Sequence, residues 1–201
     1  EIVRKVAAEV KHPLGIHAHN DSETAVANSL AAVDAGAIQI QGTINGYGER
    51  CGNANLCSCI PSLELKMGKE ALPAGKLRTL YEVSHYVAEI ANLAADEHAP
   101  YVGKSAFAHK GGIHVAAMRR SAISYQHVEP EQVGNQMRVV VSELSGRGNL
   151  LSKAEEYGLD PKAELGSVLN EIKALEARGF SFEAAEASVA LLMKRQEPAY
   201  K

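Results

Sequence analysis

Two histidines one residue apart, His17 and His19, stand in the run Gly15-Ile-His-Ala-His-Asn-Asp21. A short apolar segment precedes them, so the run reads as a strand leaving a sheet. Residues two apart on a strand project from the same face. Two imidazoles on one face at a strand end are a candidate pair of metal ligands; the alternative is two histidines satisfied by hydrogen bonds near a sheet end. Asn20 and Asp21 suit a helix N-cap equally well. A second run, Gly46-Tyr-Gly-Glu-Arg-Cys-Gly-Asn53, shifts the balance toward a site. Its glycines around Glu49 and Arg50 exceed what leaving a strand requires. They suit backbone closely approached by a ligand, or held at positive φ.

The elements around these runs can bring them together. The pattern predicts a strand over Leu14–Ala18, a helix capped by Asp21 or Ser22 that runs to about Asp34 and stops at Gly36, and a strand over Ala37–Ile44. After the loop ending at Asn53, a helix runs from about Asn55 to Lys66 and stops at Gly68. In parallel α/β folds the loops after strands emerge at one end of the sheet, so both runs can converge there. A dinucleotide fingerprint starting at Gly46-x-Gly48 needs glycine at position 51, which is Cys51, so nucleotide binding is not expected.

In this order the two runs resemble the synthases that condense acetyl-CoA with a 2-oxo acid: the 2-isopropylmalate, homocitrate and citramalate synthases. The resemblance implies a TIM-barrel catalytic domain with a divalent metal (Mg, Mn or Zn), held here by His17, His19 and Asn53, and acetyl-CoA as co-substrate. Related lyases share the histidines but carry a cysteine-containing loop where this chain has Glu49-Arg50, which favours a synthase. The family's remaining metal ligand, an aspartate in an Asp-Arg-Glu motif on the first strand, is absent, and only about two barrel strands are legible. The expectation is therefore a fragment: the C-terminal portion of a (β/α)8 barrel followed by a mainly helical α+β region of small subdomains. Its divisions are 1–70 for the barrel part, 71–127 for a linker helix and first post-barrel subdomain, and 128–201 for a second, mainly helical subdomain.

Past the Leu72-Pro-Ala-Gly75 linker, Leu77, Leu80, Val83, Val87, Ile90 and Ala94 form a helical packing stripe. Residues 101–125 hold a second polar constellation, with His109, Lys110, His114 and Tyr125. On its own this reads as a surface loop with a satisfied histidine. The resemblance instead implies catalytic roles for His114 and Tyr125 as acid–base groups that reach an active site, often the partner subunit's in a homodimer. It assigns none to His109 or Lys110. Val128–Gly134 is a turn-rich connection and Arg138–Leu144 a β-rich run. Ser145–Asn149 is either an anion-binding loop through Arg147 or a plain turn. Asp160-Pro161 opens a helix with Leu165, Val168, Leu169, Ile172 and Leu175 on its apolar face, ended by Gly179. Ser181 caps a last helix to about Arg195.

Composition narrows the classes. With 201 residues, 46% hydrophobic and a formal net charge of −3, the chain has material for a core. It has no basic field for nucleic acid or anionic membrane. No apolar run approaches a membrane span, and the charged N-terminal helical pattern (Ile2, Val3, Val6, Ala7, Val10) is not a signal peptide. Cys51, Cys57 and Cys59 read as small buried thiols in a reducing cytosol. Within the family, segments 53–57, 105–114, 139–149 and 179–188 look most like citramalate synthases, which use pyruvate in isoleucine biosynthesis. The runner-up is 2-isopropylmalate synthesis from 2-oxoisovalerate. A non-catalytic dimerisation or lid module and a His-x-His metallohydrolase are the readings from other classes.

Overall fold

The computed structural model describes residues 1–111, 114, 117–118, 120–121, 124–142, 145–159 and 165–196. It divides into two compact units: residues 1–106 with 128–136, and residues 107–127 with 137–201. Both are mixed helix and strand, and each holds a small parallel sheet.

In the first unit, α1 (Ile2–Glu9) precedes β1 (Gly15–His17), α2 (Ala25–Asp34) and β2 (Gln39–Gln41). Strands β1 and β2 pair in parallel, with Ile16 opposite Ile40 and His17 opposite Gln41. Parallel pairing follows from the helix between them, since a tight turn can only return a strand antiparallel. Ala18, Ile40, Val26 and Leu56 pack around buried Ala25, Ala54 and Cys59. Alternation along the strand leaves the odd-numbered His17 and His19 on the opposite, exposed face. Helix α3 (Leu56–Met67) starts where the Asn55 side chain accepts the Cys57 N–H, at 2.9 Å, and ends at left-handed Gly68, as its sequence predicts.

Three expectations need correction here. Asp21 and Ser22 do not cap α2: Asp21 is paired with Arg50, and the Asn20 side chain accepts the Ala25 N–H at 3.2 Å. The strand expected over Ala37–Ile44 is ladder only at Gln39–Gln41, because Ile44–Gly46 forms a 3-10 turn. The stripe on α4 (Leu80–Ile90) is rotated. Leu77, Leu80, Ser84 and Ala88 are buried, whereas Val83 and Ile90 are exposed. Ser84 is drawn inward because it donates to the Asn45 side chain at 2.6 Å and its carbonyl accepts from Asn45 at 2.8 Å. Residues 130–136 complete this unit. Pro130 and Val133 are buried, and Asn135 donates to the Tyr101 and Gly103 carbonyls.

In the second unit, β3 (Ala108–His109) pairs in parallel with β4 (Arg138–Val139). Helices α5 (Arg147–Glu156), α6 (Leu165–Glu176) and α7 (Glu186–Lys194) enclose a core of Val141, Leu150, Ala154, Leu165, Val168, Ile172, Val189 and Leu192, among others. Each of the larger side chains contributes about 1.5–3 kcal/mol on burial. Ser145–Asn149 is not a plain turn, because Arg147 begins α5. The fully buried Asn149 accepts the Gly146 N–H and donates to the Lys110 and Val140 carbonyls. Ser181 does not cap α7, which begins five residues later at Glu186. The Asp160-Pro161 helix start and residues 143–144 of the β-rich run lie outside the described residues. Among the described residues no helix is long and apolar enough to cross a membrane.

One charge is deeply placed in this unit. Lys153 is 2% exposed and is paired with Glu156 at 2.8 Å and Glu186 at 3.5 Å. Glu186 also takes a hydrogen bond from Arg138 at 2.7 Å, which, ahead of all other causes, holds its carboxyl below the usual range. A carboxyl depressed in the folded state adds stability at neutral pH that is lost as pH falls through the folded pKa. Arg138→Met removes that cause, so the acid-unfolding midpoint followed by circular dichroism should move to higher pH.

Candidate functional site

The second Gly-rich run is tied to the first by its backbone. The Ala54 N–H donates to Ala18 O and Ala54 O accepts from the Thr43 N–H, both at 3.0 Å, while the Asn20 N–H reaches Gly52 O at 2.9 Å. Residues 52–54 therefore lie between the extensions of β1 and β2. Asn53 stands opposite His19 in an antiparallel bridge. Directly opposed residues present their side chains to the same face, so Asn53 joins the histidine face. The His17 and His19 rings lie 5.1 Å apart, nearly perpendicular. The Asn53 Oδ1 is buried and, among the described residues, has no hydrogen-bond partner.

Arg50 adds an ionic tie, gripping Asp21 with Nε at 2.7 Å and an amino nitrogen at 3.0 Å. This pairing holds the Asp21 carboxyl below its usual range. Glycine is required twice in this loop. Gly52, at φ 88°, has no room for a Cβ against Gly46 O, and a Cβ on Gly48 would meet the Asn53 Oδ1 at 2.7 Å. Gly48→Ala should therefore displace the Asn53 side chain alone. The expected result is a metal affinity ~10–100-fold weaker, read by metal titration, with little change in the urea midpoint.

A cavity of about 550 Å3 in the first unit is bounded by Asn20, Glu23, Asn45, Cys51, Asn53 and Tyr101, among others. Glu23, Asn45 and Tyr101 all have positive φ, a conformation that costs non-glycine residues energy and clusters at functional sites. Asn45 is secured by Ser84 and by the Cys57 thiol, whose Sγ lies 3.5 Å from its Oδ1. Sequence reasoning missed Asn45 and Tyr101; the Asn45-Gly46 dipeptide, a turn signal, would have pointed to the first. Cys51 is exposed, which corrects the expectation of three buried thiols. Burial raises the Cys57 pKa and pushes that of Cys59 up to about 11, so both thiols are inert.

Of the remaining predicted residues, His114 and Tyr125 come together in the second unit, their rings stacked 4.2 Å apart. Both are exposed. His109, on β3, is buried, and its Nε2 has no hydrogen-bond partner among the described residues. Lys110 pairs with Glu183. Among the described residues no group of three His, Cys, Asp or Glu side chains stands close enough to hold a metal. The donor set is two imidazoles and a carboxamide oxygen.

Sequence models of known families match both parts of the chain: the HMGL-like family over residues 1–87, and the homocitrate synthase post-HMGL domain-like family over residues 101–179. The chain belongs to the HMGL-like family and carries its homocitrate-synthase-type following domain. Among individual proteins it is 57% identical to the (R)-citramalate synthase of Geobacter sulfurreducens over 198 residues, which is 97% of this chain and 38% of that enzyme. Against the (R)-citramalate synthase of Aquifex aeolicus it is 55% identical over 199 residues, again 97% and 38%. Against the 2-isopropylmalate synthase of Methanocaldococcus jannaschii it is 36% identical over 183 residues, 89% of this chain and 35% of that enzyme. The chain thus spans about two fifths of the length of the citramalate synthases it matches, 38% in each case.

Proposed function

We propose that this chain is part of a homodimeric, cytoplasmic acyltransferase that condenses acetyl-CoA with pyruvate to give (R)-citramalate and CoA. The carrying observation is the face formed by His17, His19 and Asn53, with an orphaned acceptor oxygen beside two imidazoles. A buried acceptor left unsatisfied costs about 1–3 kcal/mol, and a cation relieves that cost. Imidazole and amide-oxygen donors suit a divalent ion such as Zn, Mn or Mg, so the residues fit the metal that the family uses. When bound, that ion supplies Lewis acidity to a 2-oxo acid and a template for its keto and carboxylate oxygens. β1, α2, β2 and α3 then correspond to the last quarter of a (β/α)8 barrel, with the face at the C-terminal strand ends where such barrels place their sites. The 57% and 55% identity to the Geobacter and Aquifex citramalate synthases, against 36% to the 2-isopropylmalate synthase, supports pyruvate as the acceptor.

The chain's own residues account for the proton movements. His114, as general base, takes a methyl proton from the thioester. The methyl carbon then bonds to the keto carbon, whose oxygen collects a proton. Water cleaves the thioester, releasing CoA as the thiol and leaving the acid. Tyr125, stacked on the His114 ring, holds that ring's plane and carries a phenolic proton.

Thiol release from acetyl-CoA by the full-length enzyme tests this, with pyruvate and 2-oxoisovalerate offered separately and with or without chelator. Release with pyruvate that a chelator stops is the expected result. Preference for 2-oxoisovalerate moves the enzyme to 2-isopropylmalate synthesis, and no release with either refutes the reading. Tyr125→Phe should lower kcat by ~10²-fold or more, as for loss of an acid–base group, with bound metal unchanged. Loss of metal at normal turnover per metal would contradict that role.

A further inference from the structure

The cavity of the first unit has no part in the scheme above beyond its border with Asn53. Its volume, about 550 Å3, lies within the roughly 300–1,000 Å3 of ligand pockets. Three of its lining residues, Glu23, Asn45 and Tyr101, come from separate stretches of the chain and hold φ of 58°, 61° and 66°. Strain of this kind persists only where the surroundings over-determine it, and here each residue is pinned. The Glu23 N–H donates to Asn20 O at 2.9 Å. Both ends of the Asn45 carboxamide bond Ser84. Asn135 donates to Tyr101 O at 2.9 Å. The stretch 94–99 contributes the short side chains of Ala94, Ala95 and Ala99, which leave the space open.

Charge decides what fits. Among the described residues that bound the cavity, the charged ones are Glu23 and Asp96, both exposed. Two carboxylates with no cation among those residues repel anions. That excludes the 2-oxo acid, which is itself a carboxylate, and the phosphates of CoA. It leaves the stretch of acetyl-CoA between the phosphates and the sulfur, an uncharged chain with two amides and a hydroxyl. Its N–H and O–H groups are donors, and carboxylate oxygens are strong acceptors for them. One Asp96 oxygen already accepts the His98 N–H at 2.8 Å, which makes Glu23 the principal acceptor. The position fits as well. The cavity shares Asn53 with the histidine face, so a chain lying in it brings its thioester end beside the metal donors.

We propose that this cavity holds the uncharged pantetheine arm of acetyl-CoA, and that the Glu23 carboxylate accepts an amide N–H of that arm. The strain at residue 23 then has a use, since it sets the carboxylate on the cavity wall. The inference rests on the acetyl-CoA-dependent reading given above.

The test uses full-length enzyme and calorimetric binding of two probes without pyruvate: acetyl-CoA, and S-acetyl-pantetheine, which lacks the phosphates. Glu23→Gly removes the carboxylate and suits a positive φ, so the urea midpoint should hold or rise. Both probes should nevertheless bind ~10-fold or more weakly, as for loss of a hydrogen bond to a charged group, with the KM for pyruvate unchanged. Glu23→Gln keeps the strain and an acceptor oxygen and should retain most of the affinity. Ala95→Phe fills the cavity from another stretch of the chain and should weaken both probes ~10-fold, as overpacking does. Unchanged affinity in Glu23→Gly or in Ala95→Phe overturns the proposal. So does a loss in Glu23→Gln as large as in Glu23→Gly. Tighter binding of acetyl-CoA alone in Glu23→Gly overturns it too, because it means that phosphates face this carboxylate. Thiol release with pyruvate by the wild type is measured alongside. Its absence, with both probes bound by the wild type and weakened in Glu23→Gly and Ala95→Phe, refutes the reaction and leaves the arm in the cavity. Its presence, with binding indifferent to these variants, does the reverse. A wild type that binds neither probe overturns both.

Discussion

Full-length enzyme carrying His17→Ala is expected to purify without stoichiometric divalent metal and to release no thiol from acetyl-CoA above background. His17 is exposed at the end of β1, outside the apolar cluster on the other face of the sheet, so its removal leaves the core intact. The remaining donors are His19 and the Asn53 oxygen. Two donors with no carboxylate hold a divalent ion poorly, and the loss should exceed the ~10–100-fold that removing an outer partner costs. Metal per chain by mass spectrometry, beside a urea unfolding curve, separates this from misfolding. Unchanged metal content and activity would remove His17 from the site.

Gly52→Ala should be strongly damaging to the first unit. Its φ of 88° is strained for any residue with a Cβ, and that Cβ would overlap Gly46 O. The same oxygen accepts the Asn53 N–H, and Gly52 O accepts the Asn20 N–H. The overlap therefore breaks both bonds that bring Asn53 to the histidines. Losing two partly buried backbone hydrogen bonds, on top of a left-handed alanine, costs roughly 3 kcal/mol. The urea midpoint should fall and metal binding should go with it. Gly68→Ala is the control. It has positive φ but nothing within 4 Å of its Cβ, so it should cost only about 1 kcal/mol and leave metal binding intact. Equal effects at both glycines would show that backbone conformation, not the approach of Gly46, decides the outcome.

The residues that signal their own local structure were legible in the sequence. Asn55 and Gly68 bracket α3, and the spacing of Leu165, Val168 and Ile172 reports the buried face of α6. The strand placement of His17-x-His19 follows from periodicity alone. What was not legible depends on partners far along the chain. Asp21 looks like a cap until Arg50, twenty-nine residues on, takes its carboxylate. Ser145–Asn149 looks like a turn because glycine and asparagine favour turns, but Asn149 spends its side chain on α5's first turn and on two carbonyls of the strand region. The burial of Ser84 follows from Asn45, thirty-nine residues earlier. His109 carries no local mark of burial at all.

The interleaving of the two units has a consequence for synthesis. Domains emerging from a ribosome usually fold in order from the N-terminus. Here the first unit needs residues 128–136, which follow a stretch, 107–127, belonging to the second. Until Asn135 emerges, the Tyr101 and Gly103 carbonyls lack the donor that binds them, and Pro130 and Val133 have yet to be buried. A nascent chain ending at Ala106 is thus incomplete, although every element of the histidine face has already been made. The ribosome must release the start of the second unit before the first can close, so the first unit stays half-built while residues 107–127 are made.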